Sequence, residues 1–129
     1  MRRGEIRWCT FAASDKRRPV LILTRNSAIP LLNALTVAPL TMTMRSIPTE
    51  VFLSRSDGVS TDCAVNLDYL QTVPKAQLGA LIASLPHDRI IEVQAAVQFA
   101  LGFRDGPREP QGSTHLHESA AEWFLDSDE

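Results

Sequence analysis

The residues that could carry chemistry in this chain are arginine and threonine rather than histidine or cysteine. Two of the three histidines, His115 and His117, lie in a C-terminal tail, and His87 lies at the start of a predicted helix. None belongs to a segment that would position an acid or base beside a nucleophile. A His-x-His pair with no third ligand nearby is typical of solvated histidines and not of a metal site.

The two cysteines, Cys9 and Cys63, stand in no metal-binding spacing, and no histidine accompanies them in the region of predicted strands. A Cys–His nucleophile is therefore not expected. The sequence also lacks a glycine-rich phosphate loop and a carboxylate-rich metal cluster. We expect two reduced thiols, no metal and no cofactor.

Two clusters of arginine and threonine flank predicted strands. Lys16-Arg17-Arg18 precedes one strand, and Thr41-Met42-Thr43-Met44-Arg45 follows another. A guanidinium and a hydroxyl brought together there would bind phosphate, because the planar guanidinium donates paired hydrogen bonds and keeps its charge near neutral pH. A basic triplet is also commonly a solvated face, and spacing alone leaves both interpretations open.

Strand patterns dominate the first eighty residues. We predict strands over residues 5–11, 19–24, 34–41 and 49–53, and one or two more over residues 63–73. Asp57-Gly58 indicates a turn between the last two of these regions. Pro39 predicts an edge position or a bulge near the end of its strand.

The hydrophobic period changes to that of a helix over residues 87–101. One face would carry Ile90, Val93, Val97, Ala100 and Leu101. Asp88 and Glu92 fall on the opposite face, and Gly102 stands where a C-terminal cap is expected. Phe99 falls on the polar side, which leaves an exposed aromatic and an interface residue as alternatives.

Length and charge indicate one domain with an appendage. The chain has 129 residues, of which 44% are hydrophobic, and no apolar run approaches the length of about 18 residues that a membrane span needs. Residues 1–103 carry 11 Lys and Arg against 8 Asp and Glu, whereas residues 104–129 carry 2 against 7. We predict a domain over 1–103, a Pro- and Gly-containing linker after it, and a cytoplasmic protein with no secretory signal.

Five blocks of this sequence resemble, in their order and spacing, the MazF/PemK family of toxins. They are MRRGEI at 1–6, KRRPVLIL at 16–23, VAPLT at 37–41, PTEV at 48–51 and VNLDYLQTV at 65–73. The resemblance covers residues 1 to about 103. It implies a mainly β protein with a C-terminal helix (α+β), an SH3-like small barrel of the MazF/PemK/CcdB type.

The resemblance also implies a function. Members of the family form homodimers, cleave single-stranded RNA at short sequences without a metal, and are neutralised by an antitoxin. In that reaction a 2′-hydroxyl attacks the adjacent phosphorus and leaves a 2′,3′-cyclic phosphate and a 5′-hydroxyl. Two alternatives stay open: a non-enzymatic poison of the same fold, like the CcdB toxins that bind DNA gyrase, and an inactive module that binds RNA or antitoxin.

Residue by residue, Arg18 resembles the family's catalytic arginine, and Thr41 resembles its catalytic threonine. Arg18 would stabilise the extra negative charge on the phosphate, and Thr41 would hydrogen-bond the phosphate or orient the attacking hydroxyl. The general base is not identified by the resemblance. The loop over residues 12–16 is shorter here than in many relatives, which leaves open any residue that this loop usually supplies.

Further positions are similar to those that line the family's RNA groove. They are Arg3, Thr43, Arg45 and Gln71. Trp8 offers an aromatic face for stacking, although a core position is an equal alternative for a tryptophan.

The tail lies outside the resemblance. Trp123, Phe124 and Leu125 stand among five acidic residues, a composition that is similar to the acidic, partly apolar segment with which an antitoxin covers its toxin. The tail could be a native extension or a joined fragment. It could bind the basic domain or be a disordered acidic end.

Overall fold

The computed structural model of the chain describes residues 1–11 and 16–103. Within these residues lie seven strands: β1 (Glu5–Phe11), β2 (Lys16–Ile22), β3 (Ala34–Thr41), β4 (Glu50–Leu53), β5 (Cys63–Asn66), β6 (Gln71–Pro74) and β7 (Leu78–Ser84). One helix, α1 (His87–Ala100), follows them. Short 3₁₀ turns lie at Arg55–Asp57, Leu67–Tyr69 and Lys75–Gln77.

The strands form one antiparallel sheet in the order β4-β5-β3-β2-β1-β7, and β6 also pairs with β3. Strand β3 changes partner along its length, because β6 pairs with residues 34–37 and β5 pairs with residues 40–41. The sheet therefore curls into a half-barrel instead of lying flat.

The position of Pro39 differs from the prediction. Strand β3 lies inside the sheet, and Pro39 stands opposite Val20 of β2. It falls between the pairings with β6 and β5, so no ladder hydrogen bond to either strand is needed there. A change of partner, and not an edge, is what accommodates this proline.

The largest departures from the predicted strands are at β2 and β7. Strand β2 begins at Lys16, three residues earlier than predicted, because the basic triplet pairs with β1 through Phe11–Lys16, Thr10–Arg17 and Cys9–Arg18. Strand β7 was not predicted, since its sequence LGALIAS contains small residues in place of a clear alternation. It forms by pairing with β1 through an irregular register.

The hydrophobic core lies on both faces of the sheet. Neighbouring residues of β2 point in opposite directions, so Leu21 joins one buried cluster while Val20 and Ile22 join the other. The first cluster includes Val93 and Ala96 of α1 and fills the space under the helix. Burial on two faces explains why β2 reads as an unbroken apolar run.

Helix α1 buries most of its predicted face. Ile90, Val97 and Ala100 pack against the first cluster, whereas Leu101 remains 52% exposed and its predicted burial is wrong. The helix ends at Ala100, and Gly102 turns the chain away with a φ of 80°. The predicted glycine cap is confirmed by the bond from the Gly102 N–H to the Phe99 carbonyl at 3.1 Å.

One arginine ties the helix to the sheet. The Arg89 guanidinium donates to Asp57 at 3.0 Å, to Glu92 at 2.6 Å and to the backbone carbonyl of Phe52. These partners belong to the turn after β4, to α1 itself and to β4. The contact orients α1 across the sheet edge, and it includes Glu92, which lies opposite the apolar face of the helix as predicted.

Gly4 should tolerate no side chain. Its φ is +95°, and an added Cβ would lie 2.8 Å from Cδ1 of Ile90. We expect Gly4→Ala to lower the free energy of unfolding by about 1 to 3 kcal/mol in urea denaturation. Gly79→Ala is the matched control, because its Cβ would meet no atom closer than 3.7 Å. Equal effects of the two substitutions would contradict the prediction.

Candidate active site

The pairing of β2 with β3 brings Arg18 and Thr41 together. Val20 stands opposite Pro39 in the antiparallel register, and continuing that register by two residues places Arg18 opposite Thr41. On its other side, β2 pairs Arg18 with Cys9 of β1. The arginine thus extends from a strand held on one side by a ladder, next to the point where β3 ends.

A cleft of about 1000 Å³ lies at this end of the sheet. Five of the predicted site residues line it: Trp8, Arg18, Thr41, Thr43 and Arg45. These residues come from β1, β2, β3 and the connection that follows β3. The structure therefore gathers into one cavity residues that lie up to 37 positions apart in the chain.

The cleft is cationic. Within the described part of the chain, no aspartate, glutamate or histidine lines it, while Arg18 and Arg45 do. Both arginines are exposed, and among residues 1–11 and 16–103 no carboxylate forms an ion pair with either. Arg7 and Arg89, by contrast, are paired with acids. Two unpaired guanidinium groups in one cavity favour binding of an anion such as phosphate.

The hydroxyl of Thr41 has a defined hydrogen-bonding role. Its Oγ1 accepts the backbone N–H of Thr43 at 3.1 Å. A threonine hydroxyl has one hydrogen to donate, and this bond leaves that hydrogen available. Thr41 can therefore donate to an oxygen of a bound phosphate while Thr43 holds its oxygen in place.

The connection from β3 to β4, residues 42–49, is anchored at its far end. The backbone N–H of Arg45 donates to Oε1 of Glu50 at 2.9 Å, and Ser46 adopts a φ of 55°. Thr49, only 3% exposed, donates its hydroxyl to Oδ2 of Asp68 at 2.7 Å. These bonds hold the connection in place without using the Arg45 side chain, which lines the cleft.

Trp8 takes an intermediate position between core and surface. Its ring is half-buried, it lines the cleft, and the guanidinium of Arg17 lies 4.5 Å from the ring centroid. This distance is that of a cation–π contact. The contact holds a third positive charge close to the cleft.

Arg3 and Gln71 do not line the cleft. The Arg3 side chain donates from Nε to the carbonyl of Leu23 at 2.8 Å, and its backbone N–H donates to Asn26 at 2.7 Å. Gln71 is exposed at the start of β6, opposite Val37. Their predicted contacts with RNA stay predictions.

A further part of the cleft lining was not identified from sequence. Ser60, Thr61, Asn66 and Tyr69 line it. Oδ1 of Asn66 accepts the backbone N–H of Asp68 at 3.0 Å, which fixes the amide and leaves its NH₂ group to donate. The signal was the Asn-x-Asp pair inside the 65–73 block, which is typical of a side-chain cap.

Cys63 lines the same cleft but is only 6% exposed. Burial raises the pKa of its thiol, and the charges of Asp62 and Asp57 raise it further. The thiol is therefore neutral near pH 7 and is a poor nucleophile. Burial also raises the pKa of Cys9, and both cysteines are free, as predicted.

Other features bound the chemistry of the described residues. No group of three or more His, Cys, Asp and Glu side chains lies close enough to hold a metal ion within residues 1–11 and 16–103. His87 is exposed at the first turn of α1. In that same part of the chain, no helix has the length and apolar character to cross a membrane. The tail residues Trp123, Phe124 and Leu125 lie outside the described residues.

Known proteins resemble this chain over the same region. A family model described as a PemK-like, MazF-like toxin of type II toxin–antitoxin systems matches residues 2–101. The probable endoribonuclease MazF5 of Mycobacterium tuberculosis is 39% identical over 100 residues, which cover 77% of this chain and 91% of that protein.

Solved structures agree with this match. The Mycobacterium tuberculosis toxin MazF-mt6 has a TM-score of 0.71 at 35% identity and covers 78% of this chain and 99% of its own. A mycobacterial endoribonuclease in complex with its cognate antitoxin has a TM-score of 0.73 at 27% identity, with 81% and 98% covered.

A curled antiparallel sheet, a C-terminal helix and a cationic cleft define a class of small, mainly β toxins. The chain belongs to the PemK-like, MazF-like family of toxins of type II toxin–antitoxin systems. The predicted family and fold class are thereby confirmed. The predicted enzyme class, an endoribonuclease, is confirmed by the activity that the relatives carry in their names.

The burial of both thiols can be tested by their reactivity. We expect Cys9 and Cys63 to react with a disulfide reagent at pH 8 at least about tenfold more slowly in the native protein than in urea, because burial disfavours the reactive thiolate. The release of the coloured thiol from the reagent measures both rates. Rapid native reaction of Cys63 would mean that the cleft is more open than described, and rapid reaction of Cys9 would contradict its burial in the second cluster.

Proposed function

We propose that this toxin is a sequence-selective endoribonuclease that cleaves single-stranded RNA without a metal ion. The observation that carries the proposal is the meeting of Arg18 and Thr41 in a cleft whose described lining contains no acidic residue. An unpaired guanidinium and a free hydroxyl hydrogen can bind the same phosphate from two sides. The proposal needs no other reactive group to account for phosphate binding.

In the proposed reaction, the 2′-hydroxyl oxygen of one nucleotide forms a bond to the adjacent phosphorus, and the bond from phosphorus to the 5′-oxygen breaks. The products are a 2′,3′-cyclic phosphate and a 5′-hydroxyl. The attacking hydroxyl loses a proton to solvent water, and the departing oxygen gains one from a donor that solvent then reprotonates. No oxidant, reductant or metal is required for this balance.

Arg18 and Thr41 have different tasks in this reaction. The phosphorane-like transition state carries more negative charge on its oxygens than the starting diester, so the Arg18 fork stabilises it preferentially. Arg18 is also the proposed donor of a proton to the leaving oxygen. Thr41 donates its hydroxyl hydrogen to the phosphate and keeps it oriented, because Thr43 already holds the oxygen.

No described lining residue is a carboxylate or an imidazole. The proposal therefore assigns no general base to the described residues. Catalysis rests on position and charge, and loss of one such contact costs roughly 3 to 4 kcal/mol of transition-state stabilisation.

The nucleotides beside the scissile phosphate would follow the cleft walls. Arg45 would offer its charge and Thr43 its hydroxyl to neighbouring phosphates. The half-buried Trp8 ring would offer a stacking face. Asn66 would present its amide donors to a base edge. Arg3 and Gln71, away from the cleft, would contact RNA only beyond the nucleotides bound inside it.

The proposed partners are single-stranded RNA and a cognate antitoxin. A similar mycobacterial endoribonuclease has been solved in complex with its cognate antitoxin, which supports an antitoxin for this chain. We further propose a homodimer acting in the cytoplasm, as the family resemblance implies.

The assay that separates the candidate functions uses a long RNA in the presence of EDTA. We expect discrete fragments ending in a cyclic phosphate. Their 3′ ends should resist labelling until the cyclic phosphate is opened and the phosphate is removed. Intact RNA together with inhibited gyrase would favour the non-enzymatic poison. Retention of RNA without cleavage would favour an inactive binding module, and cleavage abolished by EDTA would contradict metal independence.

The two proposed catalytic residues can be tested by paired substitutions. We expect Arg18→Ala and Thr41→Val each to lower kcat/KM for RNA cleavage by about a hundredfold or more, because each removes a contact strongest in the transition state. Arg18→Lys should also be poor, since lysine has the charge without the fork. Initial rates on a labelled RNA provide the measurement.

Matched controls accompany these variants. Thr41→Ser keeps the hydroxyl and should retain most activity, and Arg25→Ala removes an exposed arginine that does not line the cleft. Urea denaturation checks that every variant remains folded. Cleavage near the wild-type rate by Arg18→Ala would overturn the assignment.

A further inference from the structure

We propose that the acidic C-terminal segment, residues 122–129, occupies the RNA cleft of its own domain and competes with RNA. This inference rests on the proposed function, because the same cleft is argued to bind RNA. The occupant is named by its chemistry: four acidic residues, Glu122, Asp126, Asp128 and Glu129, around the apolar triplet Trp123-Phe124-Leu125. Residues 122–129 thus form an acidic segment with an apolar centre, the acidic segment.

Charge is the first reason for this pairing. The cleft presents Arg18 and Arg45 with no acid in its described lining, and Arg17 lies against Trp8 beside it. The acidic segment contains no basic residue. Carboxylates can accept the same guanidinium hydrogen bonds that a phosphate would accept. Tail and RNA are therefore mutually exclusive ligands.

Apolar surface is the second reason. Besides its arginines, the cleft is lined by apolar side chains that remain open to solvent, including Met42 at 71% and Leu81 at 51% exposure. Phosphate alone would leave these side chains uncovered. The aromatic and aliphatic side chains of the apolar triplet would cover them, with the flanking carboxylates directed to the arginines.

A second groove on the domain is excluded as the docking site by its charge. It is lined by Pro48, Phe52 and Phe99, and it offers aromatic surface for an apolar segment. However, Glu50 and Glu92 also line it. No described basic residue lines this groove, and although Arg89 offsets the charge of Glu92, Glu50 would repel the acidic segment; of these two cavities only the cleft is complementary.

The last turn of α1 lies against β4, whose partner β5 contributes to the cleft. Phe99, in the last turn of α1, lines the second groove together with Glu50. Glu50 is the strand partner of Asn66, which lines the cleft. The strand pair β4–β5 thus lies between the end of the helix and the cleft, and the linker has to pass this pair. Eighteen residues separate Phe103 from Glu122, and a coil of that length spans on the order of 20 to 25 Å.

Tethering compensates for a weak contact. A segment held by a short linker acts at a local concentration on the order of millimolar. Even a weak contact then occupies the cleft in most of the protein molecules. We expect the full chain to be held about tenfold below its unoccupied rate of cleavage at limiting RNA. A tight ligand, such as an antitoxin or saturating RNA, would displace the segment.

The direct test uses the two tryptophans of the chain, Trp8 and Trp123. Full-length protein labelled with 5-fluorotryptophan gives two ¹⁹F resonances, which Trp123→Phe assigns. We expect the Trp123 resonance to differ from that of a free peptide of residues 115–129. It should move to the free position when a pool of uncleavable 2′-O-methyl RNA is added.

Matched variants separate specific docking from general charge. Asp126→Asn with Asp128→Asn removes two charges from the acidic segment, and Asp105→Asn with Glu109→Gln removes two charges from the linker. Trp123→Ala and the first pair should each raise RNA cleavage about tenfold, and the first pair should also move the Trp123 resonance to the free position. The linker pair should leave both readouts near those of the wild type. Equal effects of the two pairs would overturn specific docking.

Other outcomes are equally decisive. A Trp123 resonance at the free position before any RNA is added would refute the proposal. A resonance that changes with protein concentration would identify the occupant as a second copy, which also overturns it. If Trp123 is docked but no RNA is cleaved in EDTA, the proposed function fails and the docking stands. If RNA is cleaved equally by wild type and Trp123→Ala, only the docking fails.

Discussion

The register between β2 and β3 is the constraint on which the rest of the site depends. A pairing of Val20 with Pro39 sets Arg18 opposite Thr41, so the two side chains reach one cleft from neighbouring strands. A shift of one residue would exchange the two faces of β2. It would also move Val20, Leu21 and Ile22 between the two buried clusters, so the packing that stabilises the fold also fixes the reactive geometry.

The change of partner along β3 opens the cleft. Strand β6 pairs with the first half of β3 and β5 with its last two residues, so the strand ends at Thr41 beside β5 and not beside β6. The cleft is bounded by the connection after β3 and by the turn before β5. The Arg89 contacts and helix α1 then brace β4, the neighbour of β5, from behind.

The hydrophobic pattern predicted those strands and the helix whose own sequences show a clear period. Strand β3 and the start of α1 were predicted at their observed bounds. Two of the five blocks contain Arg18 and Thr41, the family resemblance added Thr43 and Arg45, and Trp8 was named for its aromatic face; all five line one cleft. Strand β7 was missed because its small residues are held by pairing with β1 and not by their own propensity. Ser60, Thr61 and Tyr69 were missed for a related reason, since only the tertiary fold brings them into one cleft with Arg18.

The division of labour within the cleft bears on how such a protein can diversify. Arg18 and Thr41 belong to strands whose side chains are committed to the core on either side. The connections before and after β4 carry exposed side chains that also line the cleft. They are Met42, Thr43 and Arg45 in the first connection and Ser60 and Thr61 in the second. Substitutions in these connections can reshape the surface that meets the bases while the strand pair stays in register. One scaffold can thus be inherited with its reactive centre intact while its choice of target drifts between lineages.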